Sequence, residues 1–78
     1  MPRYFFHLHN DLETRDEEGL ELADVTAARG VAAHEARAMA AQSVAQGQLH
    51  LDHSIEVTDA SGATLFTLRF GEVVEIEP

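Results

Sequence analysis

The segment from Val25 to Gln46 has the apolar spacing of a long amphipathic helix, and it restricts the fold more than any other part of the chain. Asp24 precedes it, where a short carboxylate can accept hydrogen bonds from the free amides of the first turn, and Gly47 follows it, where glycine tolerates the positive φ that ends many helices. The predicted inner stripe consists mostly of small residues: Val25, Ala28, Ala32, Ala36, Met39 and Ser43. Because alanine fills little volume, we expect the helix to lie close to its neighbour, and the bulky part of the core has to come from other segments.

Those other segments alternate apolar and polar side chains with the period of a β-strand. Arg3 to His9, Ser54 to Thr58 and Ala63 to Phe70 are predicted strands, and the last two flank a loop that Gly62 can close as a hairpin. Leu12 to Arg15 is predicted to fold back on the first strand as a short polar strand.

The order of these elements predicts an α+β domain of the type ββαββ, a small antiparallel sheet with one long helix packed on one face. A chain of 78 residues has room for a single domain, 1–78. The side chains expected under the helix are Tyr4, Phe6, Leu8, Ile55, Val57, Phe66, Leu68 and Phe70. The opposite side of the sheet, which we call the open face, is expected to hold Phe5, His7, His9, Glu56, Thr58, Leu65, Thr67 and Arg69. A turn ending at Gly19 is expected to lead into an extended segment whose leucines, Leu20 and Leu22, contact the core, and residues 71–77 fit either a helical turn or a further strand.

The charge of the chain excludes several classes of partner. Fourteen acidic residues against five basic ones give a formal net charge of −9, which repels phosphate backbones and anionic membranes, so we expect no nucleic acid and no membrane as partners. Without a signal-peptide core or a membrane span, the protein is expected to be cytoplasmic. Seven of the fourteen residues from Asp11 to Asp24 are acidic, which predicts either a solvated loop or an edge that attracts a basic protein. This segment lacks the alternating oxygen ligands of a calcium-binding EF-hand loop.

The histidines are the candidate chemical groups. His7 and His9 lie two residues apart on a strand and therefore point to the same side, so both imidazoles could bind one metal ion, with His50, His53 or Glu56 as further ligands. The alternative is that they are polar side chains on a half-solvated strand. With no cysteine in the chain and no deep cleft expected over a flat sheet, we expect no enzyme activity and no cofactor.

The open face mixes apolar side chains with titratable ones, which is typical of an interface. We therefore predict a small acidic protein-interaction or regulatory module that acts through this face and forms a homodimer. The residues predicted to form the interaction face are Phe5, His7, His9, Glu56, Leu65, Thr67 and Arg69. The alternative is a metal- or small-ligand-binding protein that uses His7 and His9.

Three stretches, RYFFHLHN, DEEGLELADVTAAR and the terminal VVEIE, together resemble a family of short bacterial proteins of unknown function that open with an Arg-Tyr-Phe-Phe-His segment. The likeness covers nearly the whole chain, and the residues that stand where the family pattern puts them are His7, Gly19, Asp24, Ala28 and Arg29. The resemblance supports the fold and implies no activity. The architecture is also similar to HicB-type antitoxin domains, although those place three strands before the helix. That likeness implies a module that masks a basic partner protein.

Overall fold

The computed structural model of the protein describes residues 1–77 and confirms the α+β class, with one helix and a five-stranded antiparallel sheet. Pro78, the last residue of the predicted single domain, lies outside the described residues. The elements in chain order are β1 Arg3–His9, β2 Glu13–Thr14, β3 Leu20–Glu21, α1 Val25–Ala45, β4 Ser54–Thr58, β5 Thr64–Arg69 and a 3₁₀ turn Phe70–Glu72. The main path across the sheet is β2-β1-β4-β5, and β3 also pairs with β1. Within residues 1–77, no helix has both the length and the apolar character needed to cross a membrane.

Two short strands share one edge of β1. Thr14 of β2 pairs with Leu8 near the end of β1, and Leu20 of β3 pairs with Tyr4 near its start. The sequence predicts only an extended segment where β3 forms. Leu22 packs against the core as expected, whereas Leu20 is 45% exposed and lines a cavity with Phe6 and Ile55. Leu20 lies at the outer margin of the sheet, where the helix covers it only in part.

The helix begins and ends where the sequence predicts. The Oδ1 atom of Asp24 accepts a hydrogen bond from the amide of Ala27 at 2.9 Å. At the other end Gly47 has a φ of 88°, and the amides of Gly47 and Gln48 donate to the carbonyls of Val44 and Ser43, each at 2.9 Å. This pattern is the Schellman motif, in which a residue with positive φ satisfies the last carbonyls of a helix.

The inner row of the helix is made of alanine, but it is shifted from the predicted stripe. The buried residues follow steps of four: Ala28, Ala32, Ala36 and Ala40. Val25 is 45% exposed, so its predicted inward position is wrong, and Met39 and Ser43 are only partly buried. A row with steps of four runs obliquely along a helix, so these residues are the ones that touch a sheet when the helix axis crosses the strands at an angle.

The bulky part of the core comes from the strands, as the small helix residues require. Tyr4, Ile55, Val57, Leu68 and Phe70 are buried, whereas the other three predicted core residues, Phe6, Leu8 and Phe66, are only partly buried. The C-terminal segment contains the helical turn that was one of the two predicted alternatives. This turn begins at Phe70, which the sequence assigns to the last strand.

Candidate functional site

The register of the central strands places the predicted interaction residues on the open face. Phe5 lies opposite Thr58 and His7 lies opposite Glu56, and directly paired residues point to the same side of a sheet. The third strand of this face, β5, has a β-bulge because Val57 pairs with Phe66 while Thr58 pairs with Thr64. One residue of β5 is therefore extra, and Thr64 joins Leu65 on the open face. A strict period of two assigns Thr64 to the other side, so sequence reasoning missed it, and no local sequence signal indicates the bulge.

Asp16 lies between β2 and β3, and its side chain takes the place of a strand partner for the middle of β1. Its Oδ2 atom accepts a hydrogen bond from the amide of Phe6, and its Oδ1 atom accepts from the amides of Glu18 and Gly19, all at 3.1 Å. Burial by itself raises the pKa of this carboxyl, but the hydrogen bonds from Gly19, Phe6 and Glu18 outweigh burial and hold its pKa below the ordinary value. Asp16 is thus a fixed anion that connects the acidic loop to the edge of β1.

His7 is buried, with only 4% of its surface exposed, and both of its ring nitrogens have a partner. The amide of Asp16 donates to Nδ1 at 3.0 Å, and Nε2 lies 3.0 Å from the hydroxyl oxygen of Thr58. Because Nδ1 accepts from a backbone N–H, the ring proton of the neutral imidazole resides on Nε2 and is donated to Thr58. The sequence did not indicate this burial, since the atoms that cover the ring come partly from the backbone of an acidic loop.

This tautomer decides what the pair of His7 and Thr58 can do. A histidine that activates a hydroxyl nucleophile needs an unprotonated nitrogen facing the hydroxyl group. Here the nitrogen that faces Thr58 carries the proton, and the other nitrogen is occupied by the amide of Asp16. The pair is therefore arranged as a structural hydrogen bond and not as a nucleophile with its base.

His9 lies between two carboxylates on the same face. Its Nε2 atom is 2.8 Å from Oε1 of Glu56, and its Nδ1 atom is 3.3 Å from Oε1 of Glu13. The hydrogen bond to Glu56 raises the pKa of His9 above the ordinary value, burial lowers it in part, and the charges of Glu13 and Glu56 raise it further. The hydroxyl of Thr64 donates to the other oxygen of Glu56, and this bond, followed by the one from His9, lowers the pKa of Glu56. Between those two pKa values the pair is an imidazolium and a carboxylate.

The remaining predicted residues form the outer part of the open face. Phe5 is half-buried, while Leu65, Thr67 and Arg69 are exposed, with Leu65 at 41%. Within the part of the chain that the structure describes, the guanidinium of Arg69 has no ion pair. The open face therefore carries a buried polar centre, an apolar group on either side and a cation that has no ion pair among the described residues.

The structure forms no set of metal ligands around His7 and His9 among residues 1–77. Each ring nitrogen of both residues already faces a protein partner, and residues 1–77 contain no group of three histidine, cysteine, aspartate or glutamate side chains that could hold an ion. His50 and His53 stack on each other, with ring centroids 4.3 Å apart and planes 7° apart, and they line a cavity together with Met39 of the helix. They lie on the helix side of the sheet and do not join the other two histidines. Metal binding at His7 and His9 stays a prediction.

The fold and the site together define a class of small α+β domain, in which one alanine-faced helix covers an antiparallel sheet and hydrogen-bonded histidines lie on the other side. The model of the family described as domain of unknown function (DUF6894) matches residues 3–71, from the first residue of β1 to the 3₁₀ turn. The chain belongs to this family. The match confirms the predicted membership of a family of unknown function, while the Arg-Tyr-Phe-Phe-His opening and the bacterial range stay predictions. No curated protein and no solved structure matches the chain.

Proposed function

We propose that this domain is a small acidic protein-interaction module, that the open face of its sheet is the binding surface, and that it acts as a homodimer. The observation that carries the proposal is an ordered surface of nearly balanced charge on a chain whose net charge is −9. Buried polar groups surrounded by partly exposed apolar ones are typical of protein interfaces.

The polar side chains at the centre of the open face are already held in place. His9, Glu56 and Thr64 are connected by hydrogen bonds, and His7 is bonded on both sides. A partner that binds this surface has to immobilise few side chains, and ordering a flexible side chain on binding costs about 0.5 to 1.5 kcal/mol. Such preorganisation favours recognition.

The acidic residues are distributed so that the open face can approach another copy. Half of the carboxylates belong to residues 11–24, which form β2, β3 and the loops beside them at one edge of the sheet. On the open face His9 and Arg69 offset the charges of Glu56 and Glu13. Repulsion between two copies is therefore smallest when they meet away from the acidic edge.

Sedimentation equilibrium over a range of concentrations tests the proposal. The unmodified protein is expected to sediment as a dimer at tens of micromolar or below, about the range of weak standard interfaces. Thr67→Glu places a carboxylate on the exposed part of the open face and should shift the protein towards monomer. Thr14→Glu is the matched control, because Thr14 is also an exposed strand threonine but lies at the acidic edge. A wild-type protein that remains a monomer, or two variants that behave alike, would contradict the proposal.

A basic protein is a second candidate partner, as the resemblance to HicB-type domains implies. It is favoured by the exposed carboxylates along the acidic edge: Asp11, Glu13, Glu17, Glu18 and Glu21. Isothermal titration with an arginine-rich peptide tests this candidate. Binding should weaken several-fold between low and physiological salt, because exposed charges are screened over about 8 to 10 Å. Binding that does not respond to salt would count against an electrostatic partner.

A further inference from the structure

The two long edges of the sheet differ in their protection. The edge of β1 is paired with β2 and β3, and the carboxylate of Asp16 takes the amide of Phe6 between them. The other edge is β5, and within the described ranges no strand pairs with its outer side. An unpaired edge presents backbone donors and acceptors that another strand can bind.

The pairing pattern shows which groups of β5 point outward. The amide of Phe70 donates to the carbonyl of His53 at 2.8 Å, which continues the register in which Ile55 lies opposite Leu68. In an antiparallel ladder every second pair exchanges hydrogen bonds, so the N–H and C=O groups of Leu68 face β4 and those of Thr67 and Arg69 face away from it. The amide of Arg69 agrees with this assignment, because it donates outward to Oε1 of Glu72 at 3.2 Å. Within residues 1–77, the outward N–H and C=O groups of Thr67 have no hydrogen-bond partner, so Thr67 is the free centre of the edge.

We propose that a second copy of the chain pairs with this edge, so that two β5 strands lie antiparallel about a two-fold axis at Thr67. The inference rests on the homodimer of the proposed function, and it places the contact between the two chains at the β5 edge of the open face, so that the face itself stays accessible. Thr67 of one copy then exchanges two backbone hydrogen bonds with Thr67 of the other. The two sheets join into one, and the two open faces become a single continuous surface.

The strand is complementary to itself in this register. Leu65 of one copy lies opposite Arg69 of the other, so no two arginines meet, and on the helix side Phe66 lies opposite Leu68. An uncharged threonine pair occupies the axis. A strand that places like charges opposite each other is destabilised, and this one avoids that arrangement.

The local charge also favours a second copy. Near β5 the cations Arg29 and Arg69 offset part of the charge of Asp59, Glu56 and Glu72, and the guanidinium of Arg29 lies 4.2 Å from the ring centroid of Phe66. Most of the excess negative charge lies at the opposite edge of the sheet, beyond β1. Two acidic chains can therefore approach through β5 with little repulsion.

Features at both ends of β5 limit the strand pairing to a few central residues. The bulge beside Leu65 disturbs the ladder at the start of the strand, and Glu72 already occupies the amide of Arg69 at its end. Short, bulged edges are a common way to prevent unlimited strand addition. The geometry therefore gives a closed and reversible pair of chains, with no continuing fibre.

Cysteine crosslinking tests the register directly, because the chain contains no cysteine. Leu65→Cys and Arg69→Cys proteins should form mixed disulfides when they are combined under mild oxidation, and each alone should crosslink much more slowly. Directly opposite residues of an antiparallel pair have Cα atoms about 4.5 to 5.5 Å apart, within the range that a disulfide spans. Ser61→Cys in the exposed hairpin loop is the control for random collision.

Sedimentation of two variants at the axis completes the test. Thr67→Pro removes the outward N–H while leaving the bonds to β4, and it should raise the dimer dissociation constant at least about tenfold. Thr67→Val keeps the N–H and should leave the dimer intact, with circular dichroism confirming that both variants fold. A wild-type dimer that survives Thr67→Pro and gives no mixed disulfide would overturn the edge pairing while leaving the homodimer in place. A monomeric wild type would instead remove the homodimer itself.

Discussion

Replacing Asp16 with alanine should destabilise this domain more than the loss of any other carboxylate in the acidic loop. The carboxylate accepts from the amides of Phe6 and Gly19, which are partly buried, and from the amide of Glu18, which is exposed. The exposed amide of Glu18 can bind water instead, so the loss of its hydrogen bond costs little. Each of the partly buried amides loses a hydrogen bond to a charged group, which contributes about 1.5 to 3 kcal/mol when buried and roughly 1 to 1.5 kcal/mol here, because water partly screens the carboxylate. We expect Asp16→Ala to lower the free energy of unfolding by about 2 to 3 kcal/mol in total.

Urea unfolding at pH 7, followed by far-ultraviolet circular dichroism, measures this loss. Glu17→Ala is the matched control, since it removes an equal charge from the neighbouring exposed position and should change the stability by less than about 0.5 kcal/mol. Asp16→Asn should fall between the two, because the amide keeps one acceptor oxygen and turns the other into a donor. If Asp16→Ala and Glu17→Ala unfold at the same urea concentration, the role assigned to Asp16 is wrong.

The same loss should depend on pH in a fixed direction. The pKa of Asp16 in the folded protein lies below its ordinary value of 3.8, so its contribution is complete above about pH 4 and disappears as the pH falls through the lowered pKa. The difference in stability between wild type and Asp16→Ala should therefore be constant from pH 5 to pH 7 and shrink in acid. A difference that grows on acidification would refute the assignment of a stabilised anion.

Three further changes have measurable outcomes. Gly19→Ala places a Cβ 2.8 Å from the carbonyl oxygen of Tyr4, at a residue whose φ is 70°. Urea unfolding should show that the free energy of unfolding falls by about 2 to 5 kcal/mol, from overpacking and backbone strain together. A variant as stable as wild type would contradict the close approach. Gly30→Ala meets nothing within 4 Å in the middle of the helix, so it should raise the free energy of unfolding by about 0.5 to 1 kcal/mol, and a loss of stability would show that the position is packed. His9→Gln should cost stability below about pH 6.5, where the raised pKa keeps the imidazole charged in the folded state, and this cost should diminish as the pH rises through the pKa of folded His9. Thermal unfolding from pH 5.5 to 9 measures this cost, with the exposed His34→Gln as the matched histidine control.

Local chemistry explains the parts of the fold that the sequence predicts well. Asp24 and Gly47 determine the ends of the helix through hydrogen bonds and a positive φ that depend only on nearby residues. The alternation from Arg3 to His9 determines which side chains of β1 face the helix, because the side-chain period of a strand is two. Both features are consequences of backbone geometry and need no knowledge of distant contacts.

The environment of the histidines depends on contacts between residues far apart in sequence. His7 meets Thr58 across 51 positions, and His9 meets Glu56 across 47 positions. A sequence pattern can place these side chains on one face, but it cannot show that a loop amide fixes the tautomer of one ring and two carboxylates hold the charge of the other. The bulge that brings Thr64 to Glu56 is likewise a property of how two strands pair.

The sequence by itself determined the α+β architecture, the bounds of the helix and the two sides of the central strand. Those features follow from periodicity, capping and the small volume of alanine, which act over a few residues. The tertiary structure alone decided that His7 is buried, that Asp16 takes the place of a strand, and that among the residues the structure describes β5 is left as an unpaired edge. Each of these depends on the register between segments, which is selected by the packing of the whole sheet under the helix.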